Sequence, residues 1–222
     1  MAMFNVTPLY GGAVTTVLPA GFLDASLFRS VPDTQEVYVN GRRPAGDTSS
    51  GYNADDGLGF NESIIVDLLQ RVEADDDRAA LDIHLNEIDS LNGGGSHGYR
   101  VLKYELLEGL IVENDGTSGN NGSATTAQAC ITVQSANKWG DPRQRETVTS
   151  CIGLIRLSDV ATDVLITINV PLTSQEEEEE ELALGTAETG DSAHIPKRTL
   201  AAYRLLLEML RNFKVVDKGL FV

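Results

Sequence analysis

Basic residues are scarce in this sequence. It contains 17 lysines and arginines against 33 aspartates and glutamates, which gives a formal net charge of -16 at pH 7. Nucleic acids and acidic membranes are bound by clusters of Lys and Arg that neutralise phosphate groups. The charge balance therefore argues against a nucleic-acid or membrane partner and favours a basic protein partner.

Long apolar runs and a targeting leader are also missing. No stretch approaches the ~20 consecutive apolar residues that a transmembrane helix requires. The opening segment, MAMFNVTPLY, has neither a basic region nor a long apolar core. We expect a soluble intracellular protein without a membrane anchor.

Cysteine is rare, since the chain has only Cys130 and Cys151. Both stand in apolar segments, which is typical of reduced core residues and not of a disulfide framework. A disulfide between the two is the alternative.

Motifs for cofactors and catalysis are absent as well. His84, His97 and His194 lie far apart without metal-ligand spacing, and we expect each at the surface or its boundary. The segment GLGFNE has Glu62 where a dinucleotide fingerprint requires its last glycine, and there is no Walker P-loop. The sequence therefore predicts no cofactor, no metal site and no catalytic constellation.

The chain does have enough apolar material for a core. With 222 residues and 41% hydrophobic content, it is predicted to form a single domain over 1–222. Segments rich in Gly, Ser, Asn or acidic residues, without an apolar period, are predicted to be flexible loops at 41–60, 112–126 and 174–195. Residues 174–191 hold eight acidic residues and no Lys or Arg, so the rest of the chain still carries a net charge of -8.

Strand patterns dominate the remaining chain. Segments rich in Val, Ile, Thr and Leu are typical of β-strands, and short turns between some of them favour antiparallel pairing. Several segments are apolar at both alternating positions, which indicates a sheet covered on both faces. The predicted strands are two short ones around residues 9–19, joined through Gly11 and Gly12, followed by 36–40, 99–112, 127–139, 146–157 and 162–172.

Helical periodicity occurs in three places. Apolar residues recur at helical spacing over 61–72, with Asn61 as N-cap, over 75–91, and over 197–213, where Pro196 can begin the helix. Such helices would cover the two faces of the sheet. The predicted fold class is therefore α+β, with a mostly antiparallel sheet of about six strands between helical layers.

The strongest polar candidate is a pair of carboxylates in SVPDTQEVYVN, residues 30–40. Asp33 and Glu36 follow Pro32 and precede a strand pattern. Such a pair suits a helix capping box, a catalytic acid and base, or an anchor for a basic partner. The strand after Glu36 weakens the capping box, although Asp33 could hold the turn as an Asx-turn residue. The catalytic alternative predicts a concave pocket at the turn and a raised pKa for one carboxyl group.

Several unusual short segments of the sequence resemble those of a known family. In chain order they are LYGGAVTTVLP, GFLDAS, VPDTQEVYVN, NESIIVDLL, ANKWG, TDVLITINVPL and RLLLEMLRNFKVVDKGLF. Together they resemble the Mog family of Ran guanine-nucleotide release factors over roughly residues 8–221. The resemblance fails at the extreme N-terminus and in the three predicted loops.

This resemblance implies both a fold and a function. The fold would be an α/β/α sandwich with a mainly antiparallel sheet, as in the PsbP proteins of photosystem II. The function would be binding of the small GTPase Ran, release of its guanine nucleotide and support of nuclear protein import. The protein would be a regulatory binding protein and not an enzyme, monomeric, in the nucleus and the cytoplasm. A PsbP-like adaptor without nucleotide-release activity is the alternative.

The resemblance also implies which residues contact Ran. In the VPDTQE word, an acidic pair carries much of that contact in the family, and its positions here are Asp33 and Glu36. Asp24 and Gln35, close by in sequence, are weaker candidates for the same surface. A basic patch on Ran would be the complementary surface.

Overall fold

The computed structural model describes residues 4–43, 53, 55–92, 98–112, 124–137, 145–171 and 195–221. Within these ranges, no helix is long and apolar enough to cross a membrane. The described strands are β1 (Phe4–Leu9), β2 (Val14–Pro19), β3 (Phe22–Asp24), β4 (Gln35–Asn40), β5 (Ser63–Gln70), β6 (Tyr99–Ile111), β7 (Ala124–Asn137), β8 (Arg145–Leu157), β9 (Thr162–Pro171) and β10 (Lys214–Val215). The described α-helices are α1 (Asp77–Leu91) and α2 (Lys197–Arg211).

The main sheet has seven strands in the order β3-β4-β5-β9-β8-β7-β6. Every neighbouring pair is antiparallel. The prediction of a mostly antiparallel sheet is thus confirmed, with seven strands where about six were expected. Within this sheet, β3 and β5 are the strands that the sequence patterns did not predict.

A smaller sheet, in the order β1-β2-β10, lies beside the main one. β1 and β2 form an antiparallel hairpin connected by a 3-10 turn at Tyr10–Gly12. The prediction of two short strands around 9–19 is confirmed for β2, whereas the first strand, β1, lies earlier in the chain than predicted. Gly11 and Gly12 have φ angles of 67° and 98°, which glycine adopts without the steric cost of a side chain. This turn brings the Tyr10 side chain against the main sheet, where its hydroxyl meets the Val66 carbonyl.

The helix predicted over 61–72 is wrong, because residues 63–70 form strand β5. β5 pairs with β4 on one side and with β9 on the other. Ile64 and Val66 are fully buried, whereas Ile65 is only partly buried. Apolar residues occur on both faces of β5, so the period of two that identifies a strand is obscured.

The helices cover opposite faces of the main sheet. The prediction of helices over 75–91 and 197–213 is confirmed to within two residues, and Asp76 caps α1 by accepting the backbone N–H of Ala79 at 2.7 Å. α1 packs on one face, against Ile152, Leu154 and Leu165 among others. α2 and the β1-β2 hairpin share the other face, on which Ala202, Leu206, Met209 and Leu210 pack with Leu9, Val17, Ile155 and Ile166.

The two cysteines are free, buried core residues, as predicted. Cys130 belongs to the cluster under α1 and Cys151 to the cluster under α2, so their side chains lie on opposite sides of the sheet. That placement excludes the disulfide alternative. Burial raises the pKa of the Cys130 thiol to about 12, with the charge of Asp82 as a smaller cause, so this thiol stays protonated.

His84 is buried, 2% exposed, and the expectation of a surface or boundary position is wrong for it. Its Nε2 atom lies 2.9 Å from the Asp163 carboxylate, which also accepts a hydrogen bond from the guanidinium of Arg156. His84 is thus part of a buried polar network. His97, His194 and most of the three predicted loops lie outside the described residues.

Candidate functional site

The candidate carboxylates stand where the chain enters β4. The backbone N–H of Gln35 donates to the carbonyl of Pro32 at 2.9 Å, which closes a tight turn. The next carbonyl in the turn, that of Thr34, accepts the N–H of Leu68 in β5 at 2.9 Å. The turn is therefore closed by one backbone hydrogen bond and joined to β5 by the other.

Asp33 lies at the tip of this turn and is exposed. Within the described part of the chain, we find no hydrogen bond or ion pair to its carboxylate. The Asx-turn alternative is not supported, because the turn is closed by the backbone bond between Gln35 and Pro32. Asp33 thus presents a carboxylate to solvent from a fixed backbone.

Glu36 has different surroundings, although it lies only three residues further on. It is half-buried, and its Oε1 atom accepts the backbone N–H of Tyr10 at 2.5 Å. The Tyr38 hydroxyl donates to its Oε2 atom at 3.5 Å. The Glu36 side chain consequently connects β4 to the 3-10 turn of the β1-β2 hairpin.

Tyr10 completes the support of the turn. Its hydroxyl lies 2.7 Å from the carbonyl of Val66 and 3.1 Å from the carbonyl of Thr34. Burial raises the pKa of Tyr10, with the charges of Asp67 and Glu36 adding to the effect. The hydroxyl therefore stays protonated and remains a hydrogen-bond donor. This role is not evident from sequence patterns, since Tyr10 stands 26 positions before Glu36.

The two weaker candidates are held by internal hydrogen bonds. Gln35 is half-buried, and its side-chain amide donates to the carboxylate of Asp67 at 2.5 Å. Asp24 accepts the N–H of Ser26 at 2.8 Å and so caps a short 3-10 turn, Ala25–Leu27. Both side chains shape the backbone around the acidic turn.

A cavity of about 330 Å³ lies between α1 and the main sheet. Gln35, Asp67 and His84 line it, but Asp33 and Glu36 do not. Burial raises the pKa of the Asp67 carboxyl group, and the hydrogen bond from Gln35 opposes that shift. The pocket that the catalytic alternative requires is therefore not lined by the predicted pair, and the carboxyl group that lines it is that of Asp67.

Apolar side chains next to the acidic turn were missed by the sequence analysis. Leu27 is 72% exposed and Phe28 is 68% exposed, at the end of the 3-10 turn that Asp24 caps. The available signal was the segment FLDASLF, which places large apolar residues between two short strands without a strand or helix period. The connection between β3 and β4 thus contains both a charged turn and an apolar turn.

Comparison with known proteins decides the family. The family model described as "Ran-interacting Mog1 protein" matches residues 7–171. The chain belongs to this family. It is 43% identical to "Nuclear import protein MOG1" of Saccharomyces cerevisiae over 96% of this chain and 83% of that protein. It is 30% identical to the "Ran guanine nucleotide release factor" of Homo sapiens over 74% of each chain.

Solved structures agree with this membership in the Mog1 family. The 1.9 Å crystal structure of the Saccharomyces cerevisiae Ran-binding protein Mog1p superposes with a TM-score of 0.75 at 40% identity, covering 100% of both chains. A Mog1 mutant with one glutamate replaced by alanine gives a TM-score of 0.74 at 40% identity, covering 99% of this chain and 100% of that one. The α+β fold predicted from the sequence is thereby confirmed.

Proposed function

We propose that this protein binds the small GTPase Ran and promotes the release of its guanine nucleotide, in support of nuclear protein import. Its membership in the Ran-interacting Mog1 family supports the partner. The names of its yeast and human relatives, a nuclear import protein and a Ran guanine nucleotide release factor, support the activity. In this proposal the protein is a regulatory binding protein that acts as a monomer in the nucleus and the cytoplasm.

The observation that carries the site assignment is the position of Asp33. An exposed carboxylate that has no partner among the described residues keeps its capacity to accept hydrogen bonds from a Lys or Arg of another protein. Because the turn is fixed at Pro32 and Thr34, little backbone entropy would be lost when the partner docks. Asp33 is therefore our primary contact to a basic patch on Ran.

Glu36 has a double role in the proposal. Its Oε1 atom holds Tyr10, and Tyr10 in turn contacts the turn that carries Asp33. Its negative charge adds to the field at the same end of the sheet, which would speed the encounter with a basic partner. Asp24 and Gln35 contribute indirectly, since Asp24 fixes the backbone before the turn and Gln35 joins the start of β4 to the Asp67 side chain in β5.

Nucleotide release requires no catalytic residue on this chain. If the protein binds nucleotide-free Ran more tightly than loaded Ran, linkage requires the affinity of Ran for nucleotide to fall by the same factor. Each tenfold reduction corresponds to about 1.4 kcal/mol of difference in binding free energy. A docking surface that distinguishes the two states of Ran is sufficient.

The proposal is tested by mixing the purified protein with Ran that carries a fluorescent nucleotide and following release in the presence of excess unlabelled nucleotide. We expect release to accelerate with protein concentration and to saturate. Binding without acceleration would support the adaptor alternative, and the absence of binding in every nucleotide state would refute the proposal.

A further inference from the structure

The connection between β3 and β4, residues 25–34, carries an apolar surface as well as the acidic turn. β3 and β4 are antiparallel neighbours, and Asp24 is paired with Tyr38. The connection therefore begins and ends at the same end of the sheet. Its first part is the 3-10 turn Ala25–Leu27, and its last part is the turn at Asp33.

Leu27 and Phe28 stand out among the exposed large apolar residues of the described ranges. They are the only two that are consecutive in sequence, at 72% and 68% exposure, and Phe28 is the only aromatic one. Leu23 in β3, 43% exposed, is close to them in sequence. Adjacent exposed apolar side chains of this size are typical of interaction surfaces.

The local backbone fixes this exposure. Asp24 caps the 3-10 turn, and the N–H groups of Phe28 and Arg29 both donate to the carbonyl of Ala25 at 3.0 Å. Ala25, 3% exposed, turns its methyl group into the protein, and the turn directs Leu27 and Phe28 outward. The apolar pair is therefore held in place, as a contact residue in an interface should be.

We propose that Leu27 and Phe28 form the apolar centre of the surface through which this protein docks on Ran, with Arg29 and Asp33 on the polar rim. This inference rests on the proposed function. It follows from the continuity of the apolar pair with the Asp33 turn, because both lie in one ten-residue connection. The complementary surface would be an apolar depression with a basic side chain opposite Asp33 and an acidic one opposite Arg29.

Known protein interfaces explain why the apolar centre and the charged rim should have different roles in binding. A buried aromatic anchor at the centre supplies much of the binding free energy, whereas charged residues at the rim mainly set the association rate and its dependence on salt. Phe28 should therefore mainly determine the dissociation rate of the complex. Asp33 should control how fast it forms.

The experiment measures the binding kinetics of purified full-length protein on immobilised nucleotide-free Ran, comparing wild type with Phe28→Ala and Leu27→Ala. Leu91→Ala is the matched control, since Leu91 is an 80% exposed apolar residue at the end of α1. We expect Phe28→Ala to weaken the Kd at least ~30-fold, about 2 kcal/mol, mainly through faster dissociation. Leu91→Ala should bind like wild type.

Both tested side chains are exposed, so loss of folding does not complicate the result, and a matching urea midpoint for each variant verifies this. Wild-type affinity and dissociation rate in both Phe28→Ala and Leu27→Ala would overturn the inference while leaving the proposed function intact. No binding by the wild type would refute the proposed function and this inference together. A wild-type dimer in sedimentation velocity that Phe28→Ala converts to a monomer would identify a second copy of this chain as the occupant, and would also overturn it.

Discussion

The carboxylate of Glu36 accepts the backbone N–H of Tyr10 at 2.5 Å, which joins the start of β4 to the turn of the β1-β2 hairpin. Tyr10 then contacts the carbonyls of Thr34 and Val66 through its hydroxyl. Of the two carboxylates in the VPDTQE word, Glu36 holds the turn and Asp33 is available to a partner. Replacing Glu36 should therefore affect the stability of the fold, whereas replacing Asp33 should affect binding of the partner.

Replacing Glu36 by alanine should destabilise the fold. The half-buried N–H of Tyr10 would lose its acceptor, and we expect the free energy of unfolding to fall by about 1–3 kcal/mol. Glu36→Gln should cost less, because the amide oxygen can accept the same bond. Urea unfolding of the two variants measures the difference, and equal stability of Glu36→Ala and wild type would contradict the structural role.

Asp33→Asn should leave stability within about 0.5 kcal/mol of wild type, because Asp33 is exposed at a turn. It should slow association with Ran and reduce the dependence of the association rate on salt, since one charge is removed from the encounter. Stopped-flow association at a series of salt concentrations provides the measurement. An unchanged salt slope would show that Asp33 lies outside the electrostatic contact.

Removing one partner of the buried pair of Glu62 and Arg198 should strongly destabilise the fold. Arg198 donates to Glu62 at 2.6 Å, and the two residues are 2% and 1% exposed, at the start of α2 and just before β5. Arg198→Met would leave a buried carboxylate without its cation, which typically costs about 3–5 kcal/mol. Denaturant unfolding at pH 7 measures this loss, and a change below ~1 kcal/mol would contradict it.

The loss of stability in Arg198→Met should also depend on pH, because Glu62 is titratable. Burial alone would raise the pKa of Glu62, but the charge and hydrogen bond of Arg198, together with the backbone N–H groups of Glu62 and Gly59, hold the pKa below its ordinary value of 4.5. A lowered pKa in the folded state contributes stability above pH 4.5 that is lost as pH falls through the folded value. In Arg198→Met the charge of the guanidinium no longer opposes burial, and only hydrogen bonds such as that from the Gly59 N–H remain, so the Glu62 pKa should be higher than in wild type.

We therefore expect the difference in unfolding free energy between wild type and Arg198→Met to be largest near pH 7. It should shrink as the pH is lowered towards 4, where protonation removes the unpaired charge from the variant. Unfolding curves at several pH values test this. A difference that stays constant from pH 7 to pH 4 would exclude Glu62 as the titrating group.

Periodicity predicted most of the fold because the long strands and the helices are regular over many residues. It was wrong at β5, where Ile64, Ile65, Leu68 and Leu69 satisfy helical spacing although the segment is a strand. A strand covered on both faces has no polar side, so spacing alone does not distinguish it from a helix. Only its pairing with β4 and β9 separates the two, and that pairing is non-local.

The sequence suggested candidate residues for the site but not their environment. The acidic residues could be selected from their spacing and from the family resemblance. Their exposure could not, because Glu36 is held by Tyr10, which is distant in sequence. The outward placement of Phe28 depends on the 3-10 turn that buries Ala25, a geometry that the segment FLDASLF does not specify by pattern.

The most direct test of the central claim is the rate of fluorescent nucleotide release from Ran in the presence of Asp33→Lys. Glu108→Lys is the matched control, since Glu108 is exposed on β6, at the opposite edge of the main sheet from β3. We predict that Asp33→Lys, at wild-type stability, reduces the acceleration at least ~10-fold, about 1.4 kcal/mol, while Glu108→Lys retains it. Full acceleration by Asp33→Lys would contradict the assignment of the Asp33 turn as the Ran-docking surface.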